Sequence, residues 1–347
     1  MNESPYDYLI ITNLPAFYKI NLYNQLSKKL KIKVIFISRS SSIRTSDFSK
    51  GEMKFDHAFL FENSYEDRNK LISFFKLAKL LLSASYKRLI APGWELIELI
   101  PLIFLLPTPK NCIQIESSII ETKSTGLLWY IKKLLLRNIG HAFPSGVLQK
   151  RILEQAKYFG QVHVTNGVGI PSRVCNREVK DPSLVYAPKY LYVGRVSEEK
   201  NLTFLIEQFN ENGKTLTIAG DGPLLCELKL LASQNISFLG YVDNEQLSAV
   251  YKEHDVFILP SSSEPWGLVV DEALWFGLPV VVSENVGCLE DLVVKPMTGT
   301  VFKLNNQVSF NNALFEIENN YSIYCTNVQS IDFDERDQRQ INAYQIS

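Results

Sequence analysis

The sequence predicts an α/β protein made of two Rossmann-like, doubly wound domains, each built on a parallel sheet. Its 347 residues are too many for one small core and suit two domains of roughly 150 to 180 residues each. Short apolar, β-branched runs alternate with amphipathic stretches over most of the chain, as in repeated β-α units. The alternation fails between about 169 and 188, where three prolines fall among polar residues. This break indicates a linker between two domains.

The predicted strands form one series on each side of the break. Helical patterns separate most of them, and in the second half these lie at about 199–210, 223–233, 244–253 and 267–277. The strands are predicted at 8–12, 33–38, 58–61, 88–92, 112–116, 142–144, 162–165, 190–194, 215–219, 236–239, 256–260, 279–283 and 300–302.

These patterns divide the chain into a first domain at 1–170, a linker at 171–188 and a second domain at 189–320. The remaining residues, 321–347, form a polar and weakly periodic tail. Packing of this tail against the first domain is one arrangement that the sequence leaves open.

Composition excludes several other classes of protein. The five cysteines are odd in number, widely spaced and never form a C-x-x-C pair, which indicates neither a disulfide framework nor a zinc site. The N-terminus lacks the positive charge and apolar run of a signal peptide. The most apolar stretch, 96–107, is well short of the roughly 20 residues of a membrane span. We therefore expect a cytoplasmic protein.

Charge is distributed unequally between the two halves. Residues 1–180 hold 26 Lys and Arg against 14 Asp and Glu, whereas residues 181–347 hold 10 against 23. A basic first half suggests an anionic partner, such as nucleic acid, acidic lipid headgroups or a phosphorylated acceptor. Solvated surfaces without any partner would give the same counts.

The segment 262–272, SSEPWGLVVDE, is the strongest candidate for a functional site. It follows a buried strand and enters a helix near Gly267, at the carboxyl edge of the sheet where ligands of doubly wound folds bind. The free amides at Trp266, Gly267 and Leu268 suit an anion such as a diphosphate. Glu264 and Glu272 are suited to accept hydrogen bonds from sugar hydroxyls, although helix-start and solvated carboxylates explain them too.

Three further strand ends carry candidate residues in the second half. In 191–201, LYVGRVSEEKN, Gly194 begins a turn that offers Arg195 and Lys200 to a diphosphate, unless both are ordinary surface cations. Gly220 lies in the tight turn of LTIAGDGPL, and Tyr241 follows the glycine of ISFLGYV. No dinucleotide fingerprint and no P-loop occurs in the sequence.

The order and spacing of these elements, from about 190 to 294, resemble the donor domain of glycosyltransferase family 4, whose members have the GT-B fold of two facing Rossmann-like domains. The paired glutamates of that family correspond to Glu264 and Glu272, and its Gly-Arg with a following Lys corresponds to Gly194, Arg195 and Lys200. Its later Gly-Leu-Pro and Gly-x-x-Glu elements match GLPVVVSENVGCLEDLV.

The resemblance implies a retaining sugar transfer from a UDP- or GDP-sugar, with no metal and no resident cofactor. By resemblance, Glu272 holds the donor ribose and Glu264 approaches the transferred sugar. Arg195 and Lys200, with the helix amides at 266–268, stabilise the departing nucleoside diphosphate. Placing positive groups where leaving-group charge develops is usually the largest catalytic contribution. The expected acceptor is a glycan or a lipid-linked saccharide, in the synthesis of a bacterial surface polysaccharide such as O-antigen, capsule or lipopolysaccharide.

The first half resembles the family more loosely, because TNLPAFYKI replaces the common glycine-rich loop after the first strand. Pro15, Tyr18 and Lys19 become candidates for the acceptor side, although a turn with helix packing explains them as well. At the strand that often precedes a family histidine, NCIQIESS offers Glu116 instead.

Two stretches of the first half, 73–88 and 127–138, combine large apolar residues with Lys and Arg. Helices of this kind can lie in an anionic headgroup layer, so peripheral attachment to the cytoplasmic face of a membrane is expected. Packed core helices remain the alternative. Two other functions stay open, a nucleotide-sugar epimerase on the same fold and a non-catalytic nucleotide or nucleic-acid binding protein, although no nucleic-acid-binding motif is present.

Overall fold

The computed structural model describes residues 5–44, 46–173, 177, 180–181 and 187–346. The chain divides into two compact units, the first comprising Met1–Ser172 with Asp334–Ser347 and the second Arg173–Phe333. Much of the predicted linker, 171–188, lies outside the described residues.

The first unit is built on a parallel sheet of seven strands in the order β3-β2-β1-β4-β5-β6-β7. The chain moves outward from β1 through β2 to β3 and then crosses to the other side of β1 with β4. The boundary between β1 and β4 is therefore the topological switch point of this sheet. The strands are β1 Tyr6–Thr12, β2 Ile32–Ser40, β3 Asp56–Ser64, β4 Tyr86–Ala91, β5 Asn111–Ile115, β6 His141–Pro144 and β7 Gln161–Val162.

Helices cover both faces of this sheet, because alternate residues of each strand point to opposite sides. Leu9 and Ile11 of β1 belong to one apolar cluster, and Tyr8 and Ile10 belong to the other. The helices are α1 Phe17–Leu26, α2 Lys70–Ser83, α3 Ile100–Leu105, α4 Gly126–Arg137 and α5 Val147–Gln155.

The second unit repeats the plan with six parallel strands in the order β10-β9-β8-β11-β12-β13. Its switch point lies between β8 and β11. The strands are β8 Tyr190–Val193, β9 Leu216–Ala219, β10 Ile236–Gly240, β11 Val256–Leu259, β12 Val280–Ser283 and β13 Gly299–Phe302. The helices are α6 Leu202–Asn212, α7 Leu225–Leu231, α8 Asn244–Lys252, α9 Leu268–Trp275, α10 Gln307–Asn319 and α11 Tyr321–Gln329.

The predicted tail, 321–347, does not form one segment. Helix α11 belongs to the second unit, whereas most of α12, Phe333–Ala343, belongs to the first. Tyr344 explains the attachment, because its ring stacks on Phe143 at 4.8 Å between centroids and its carbonyl accepts a hydrogen bond from the Tyr8 hydroxyl at 2.8 Å. Only a few buried apolar residues at the end of this polar helix contact the first unit. They are too few to give the sequence a clear helical periodicity, so the pattern does not predict the contact.

Among the residues that the structure describes, no helix is both long and apolar enough to cross a membrane. The apolar stretch 96–107 instead contributes Leu96, Leu99, Leu102 and Ile103 to the core of the first unit.

Candidate active site

The loops that follow β8 and β11 contact each other at the switch point of the second sheet. The amide and the hydroxyl of Ser262 donate hydrogen bonds to the carbonyl of Glu199, at 2.9 and 3.1 Å. Crevices at such a point are where doubly wound sheets bind ligands, because the loops on its two sides run in opposite directions.

Lys200 and Glu264, from these two loops, form an ion pair at the switch point. Lys200 lies at the end of one turn of helix, Glu198–Lys200, and each side chain of the pair is 14% exposed. In this partly desolvated position an ammonium and a carboxylate interact more strongly than on an open surface. The structure thus brings together two of the three predicted catalytic residues.

The third residue, Arg195, pairs instead with Glu199 at 2.6 Å, and its side chain is 45% exposed. Burial works against the charge of Glu199, but hydrogen bonding from Ser197 and the positive charges of Arg195 and Lys200 lower the pKa of this carboxyl group below its usual value. Glu199 therefore connects both cations, a role that the sequence analysis missed. An acidic residue between two basic ones in a loop is too common to indicate it.

Glycines let the loops after β8 and β9 approach each other closely. A Cβ atom at Gly220 would lie 1.8 Å from the carbonyl oxygen of Gly194. The amide of Gly194 donates to Ala219 at 3.0 Å and that of Gly220 donates to Gly240 at 2.7 Å. Three successive strand ends are thereby joined, and the exposed Tyr241 follows the last of them.

On the other side of the switch point, the segment that precedes α9 extends the sheet. Glu264 bridges to Val286, and the carbonyls of Glu264 and Trp266 each accept a hydrogen bond at 2.8 Å, from Gly287 and Cys288. Asn285 adds a bond from its side chain to the carbonyl of Ser262 at 2.8 Å. These bonds fix the backbone from which Glu264 projects.

Helix α9 begins after Gly267, whose φ of +99° favours glycine. No side chain caps the first turn, so the amides near Leu268 remain suited to an anion. The Trp266 side chain is 3% exposed, and its indole N–H donates to Asp271 at 3.1 Å. The carbonyl of Trp266 is bonded to the Cys288 amide, which leaves only the backbone N–H for a ligand, while the ring anchors the start of the helix.

Glu272, on the second turn of α9, accepts a hydrogen bond from the Tyr251 hydroxyl at 3.3 Å. Burial raises the pKa of Glu272 to about 7, against the effect of that hydrogen bond and with a smaller contribution from Asp271. A carboxyl group of this kind changes charge near neutral pH. Tyr251 lies on α8 and is distant in sequence, so no local pattern indicates this contact.

The first unit brings together two predicted acceptor-side residues, Lys19 of α1 and Glu116 after β5. Their ion pair measures 2.8 Å, and the Lys19 side chain is 11% exposed. Burial disfavours the charge on Lys19, but Glu116 overcomes this effect and raises the lysine pKa. Pro15 is buried in the turn before α1.

Tyr18 contacts the rings of Phe17 and Phe48 edge-on, and its backbone carbonyl accepts a hydrogen bond from Ile170 at 2.9 Å. Burial raises the pKa of the Tyr18 hydroxyl to about 12. Tyr18 therefore packs within the first unit.

Within the described part of the chain, no group of three or more His, Cys, Asp or Glu residues is placed to hold a metal ion. The chemistry that the switch point of the second unit offers is that of fixed cations, helix amides and carboxylates.

Part of the second unit matches a known family model. Residues 180–331 match the family model described as "Glycosyl transferases group 1". Alpha-monoglucosyldiacylglycerol synthase of Acholeplasma laidlawii is 36% identical over 187 residues, which are 50% of this chain and 42% of that protein. Six other curated relatives are matched over only 22 to 37% of their own length.

Solved structures resemble the whole chain. The lipopolysaccharide outer core galactosyltransferase WaaB superposes with a TM-score of 0.69 at 14% identity, covering 97% of this chain and 98% of WaaB. HepE of Anabaena, in complex with UDP, gives 0.66 at 16% identity, covering 98% and 97%. At this identity the likeness establishes the fold alone.

Proposed function

We propose that this chain, which carries a group 1 glycosyltransferase segment at 180–331 and has the GT-B fold, transfers a sugar from a UDP- or GDP-sugar to a glycan or lipid-linked acceptor. The proposal includes retention of the anomeric configuration and no requirement for a metal or a resident cofactor. The observation that carries it is the Lys200–Glu264 pair at the switch point of the second sheet, inside the segment that matches the family.

The contacts support a distinct role for each group. Lys200 and Arg195 neutralise the negative charge that develops on the departing diphosphate, aided by the amides at the start of α9. A diphosphate competes with Glu264 and Glu199 for these cations, so donor binding frees Glu264 to interact with the transferred sugar. Glu272 accepts hydrogen bonds from the donor ribose, with Tyr251 orienting its carboxyl group. Gly194, Gly220 and Tyr241 line the remaining donor side.

Variants of the two glutamates test this assignment. We expect Glu272→Ala to weaken UDP or GDP binding roughly tenfold or more, because the hydrogen-bond acceptor for the donor ribose is lost. Glu264→Ala is expected to reduce transfer much more than donor affinity. Thermal-shift titration with UDP, GDP and their sugar conjugates measures binding, and nucleotide release measures transfer. Glu207→Ala, at an exposed position of α6, is the matched control. Wild-type transfer in both glutamate variants would refute the roles.

The acceptor side is assigned to the first unit, with Lys19, Glu116, Tyr18 and Pro15 beside it. The names of similar proteins favour a lipid-linked or surface-polysaccharide acceptor, because they include a galactosyltransferase of the lipopolysaccharide outer core and a glucosyldiacylglycerol synthase. We place the reaction at the cytoplasmic face of a membrane and expect no nucleic-acid partner.

Exposed apolar side chains on α2 and α4 support a peripheral contact with an anionic membrane. Leu71 and Phe75 of α2 are 66% and 63% exposed, and Leu127 and Leu128 of α4 are 74% and 75% exposed. Both helices also carry lysine, in a unit whose basic residues outnumber its acidic ones. Apolar insertion and attraction to acidic headgroups act together in such helices.

Vesicle sedimentation tests the membrane contact. We expect Leu127→Glu with Leu128→Glu to reduce binding to phosphatidylglycerol vesicles at least about tenfold, because two apolar anchors are replaced by charges that the surface repels. Leu230→Glu, at a position of the second unit that is 90% exposed, should bind as the wild type does. Equal loss in both proteins, or no loss in the double variant, would contradict the proposed surface.

A further inference from the structure

The switch point of the first sheet carries three side chains with no role in the function proposed above. Asn13 directly follows β1, and Trp94 and Glu95 follow β4 after Pro92 and Gly93. Strands β1 and β4 are neighbours in the sheet. The chain leads from β1 toward β2 on one side and from β4 toward β5 on the other side. The same rule that locates the donor crevice in the second unit therefore locates a crevice here.

Polar side chains of the two loops form a hydrogen bond with each other but keep unused hydrogen-bonding capacity for a ligand. The Asn13 amide donates to the Glu95 carboxylate at 3.0 Å, while the Asn13 carbonyl oxygen is buried and accepts no hydrogen bond from any described residue. Glu95 is exposed. One carboxylate oxygen is held by the amide, and the group still has acceptor capacity for a ligand.

Trp94 places an aromatic ring beside these polar groups. The ring is partly buried, and Lys132 of α4 lies over it with the ammonium nitrogen 5.0 Å from the ring centroid. A partly exposed tryptophan next to a carboxylate and an amide provides both apolar contact and directed hydrogen bonding. These are the features by which binding sites fix an amphipathic ligand.

The charge at this edge differs from that of the unit as a whole. Lys19 is paired with Glu116 at 2.8 Å, and Arg68 is paired with Glu98 at 2.9 Å in a nearly buried position. Within the described part of the chain, Glu95 forms no ion pair. The crevice therefore presents a carboxylate without an ion-pair partner, beside the Lys132 ammonium that lies over Trp94, in a half of the chain that has an excess of basic side chains.

We propose that this crevice binds a neutral, hydroxyl-bearing sugar residue of the acceptor, with Glu95 and Asn13 as specificity-determining residues and Trp94 as the surface on which the sugar packs. The carboxylate accepts hydrogen bonds from hydroxyls, whereas it repels a phosphate at the same position. This inference rests on the proposed function, since it names the class of acceptor group that the transferase takes.

Binding of simple glycosides tests the proposal independently of turnover. Saturation-transfer NMR would use methyl glycosides of glucose, galactose, mannose and N-acetylglucosamine as neutral probes and glycerol phosphate as the anionic probe. The full chain would be compared with Glu95→Gln and Trp94→Ala. Glu62→Gln is the matched control, because Glu62 is an exposed carboxylate of the same unit that pairs with Arg39.

We expect at least one neutral glycoside to bind the wild type and Glu62→Gln. Its dissociation constant should rise roughly tenfold or more in Glu95→Gln, because a hydrogen bond to a charged group is lost. Trp94→Ala should weaken the same glycoside. Absence of glycoside binding, equal binding in Glu95→Gln, or preferred binding of glycerol phosphate would overturn the inference. UDP and GDP binding, measured on the same samples, reports separately on the proposed function.

Discussion

At the scale of single residues, the donor site is defined by charges held in partly buried positions. Lys200 and Glu264 form an ion pair, and the carboxylate of Glu199 interacts with the positive charges of both Lys200 and Arg195. Removal of either Lys200 or Glu264 would leave its partner's charge uncompensated in a partly buried position, which is costly, and the pair also keeps Lys200 in place for an anionic ligand. The same contacts thus account for local stability and for the proposed chemistry.

Glu272 makes a pH dependence measurable at the same scale. Its pKa is raised from 4.5 to about 7 by burial, so between these values the folded protein holds a proton that the unfolded chain has released. Because stability falls with pH wherever the folded state binds more protons, Glu272 should lower the free energy of unfolding as pH rises from about 4.5 to 7. The loss is complete above about pH 8 and amounts to roughly 3 kcal/mol.

Glu272→Gln isolates this effect because the amide does not titrate and can still accept a hydrogen bond from Tyr251. In urea denaturation, the variant should gain stability relative to the wild type between pH 5 and 7 and keep that gain at pH 8. Glu207→Gln should give a difference that does not change with pH. A constant difference for Glu272→Gln as well would show that the carboxyl group does not titrate in this range.

At the scale of elements, the site depends on strand-end loops that approach more closely than side chains allow. Gly220 directly follows β9 and Gly240 ends the neighbouring strand β10, yet of the two only Gly220 is sterically confined. A Cβ at Gly220 would meet the Gly194 carbonyl oxygen at 1.8 Å, whereas one at Gly240 would meet nothing within 4 Å. A comparison of substitutions at the two glycines therefore distinguishes the cost of a steric clash from the cost of a positive φ angle.

Alanine substitutions at these glycines should differ in consequence. Gly240→Ala carries only the cost of a φ of +68°, roughly 1 kcal/mol. Gly220→Ala must also displace the loop that holds Arg195, so we expect a further loss of roughly 2 to 4 kcal/mol in unfolding free energy, together with weakened nucleotide binding. Chemical denaturation and thermal-shift titration measure the two effects. Similar stability in both variants would mean that the loops are not packed as described.

The elements were largely predictable from the sequence, but the contacts between them were not. Apolar runs and glycines placed the strands and the start of α9, because burial and backbone conformation act locally. The contact of Glu272 with Tyr251 and that of Lys19 with Glu116 each join distant elements, and no periodicity encodes them. Polar α12 returns to the first unit through a few apolar residues near Tyr344, too few to produce a pattern.

At the scale of the whole molecule, the chain combines two units of the same plan with opposite charge. The second contains the family match at 180–331, and its switch point carries the proposed donor groups. The basic first unit exposes apolar residues on α2 and α4, and its switch point presents the carboxylate of Glu95. This distribution supports a transferase whose donor and acceptor are recognised by different units.

The most direct test of this account is a time-resolved proton NMR assay of the purified full chain with UDP- and GDP-sugars, a panel of neutral glycosides as acceptors and anionic vesicles. We expect transfer from one donor, with the anomeric proton of the initial product showing the same configuration as that donor. Transfer should be lost in Glu264→Gln but not in Glu207→Gln. Inverted configuration in the initial product, or undiminished transfer by Glu264→Gln, would contradict it.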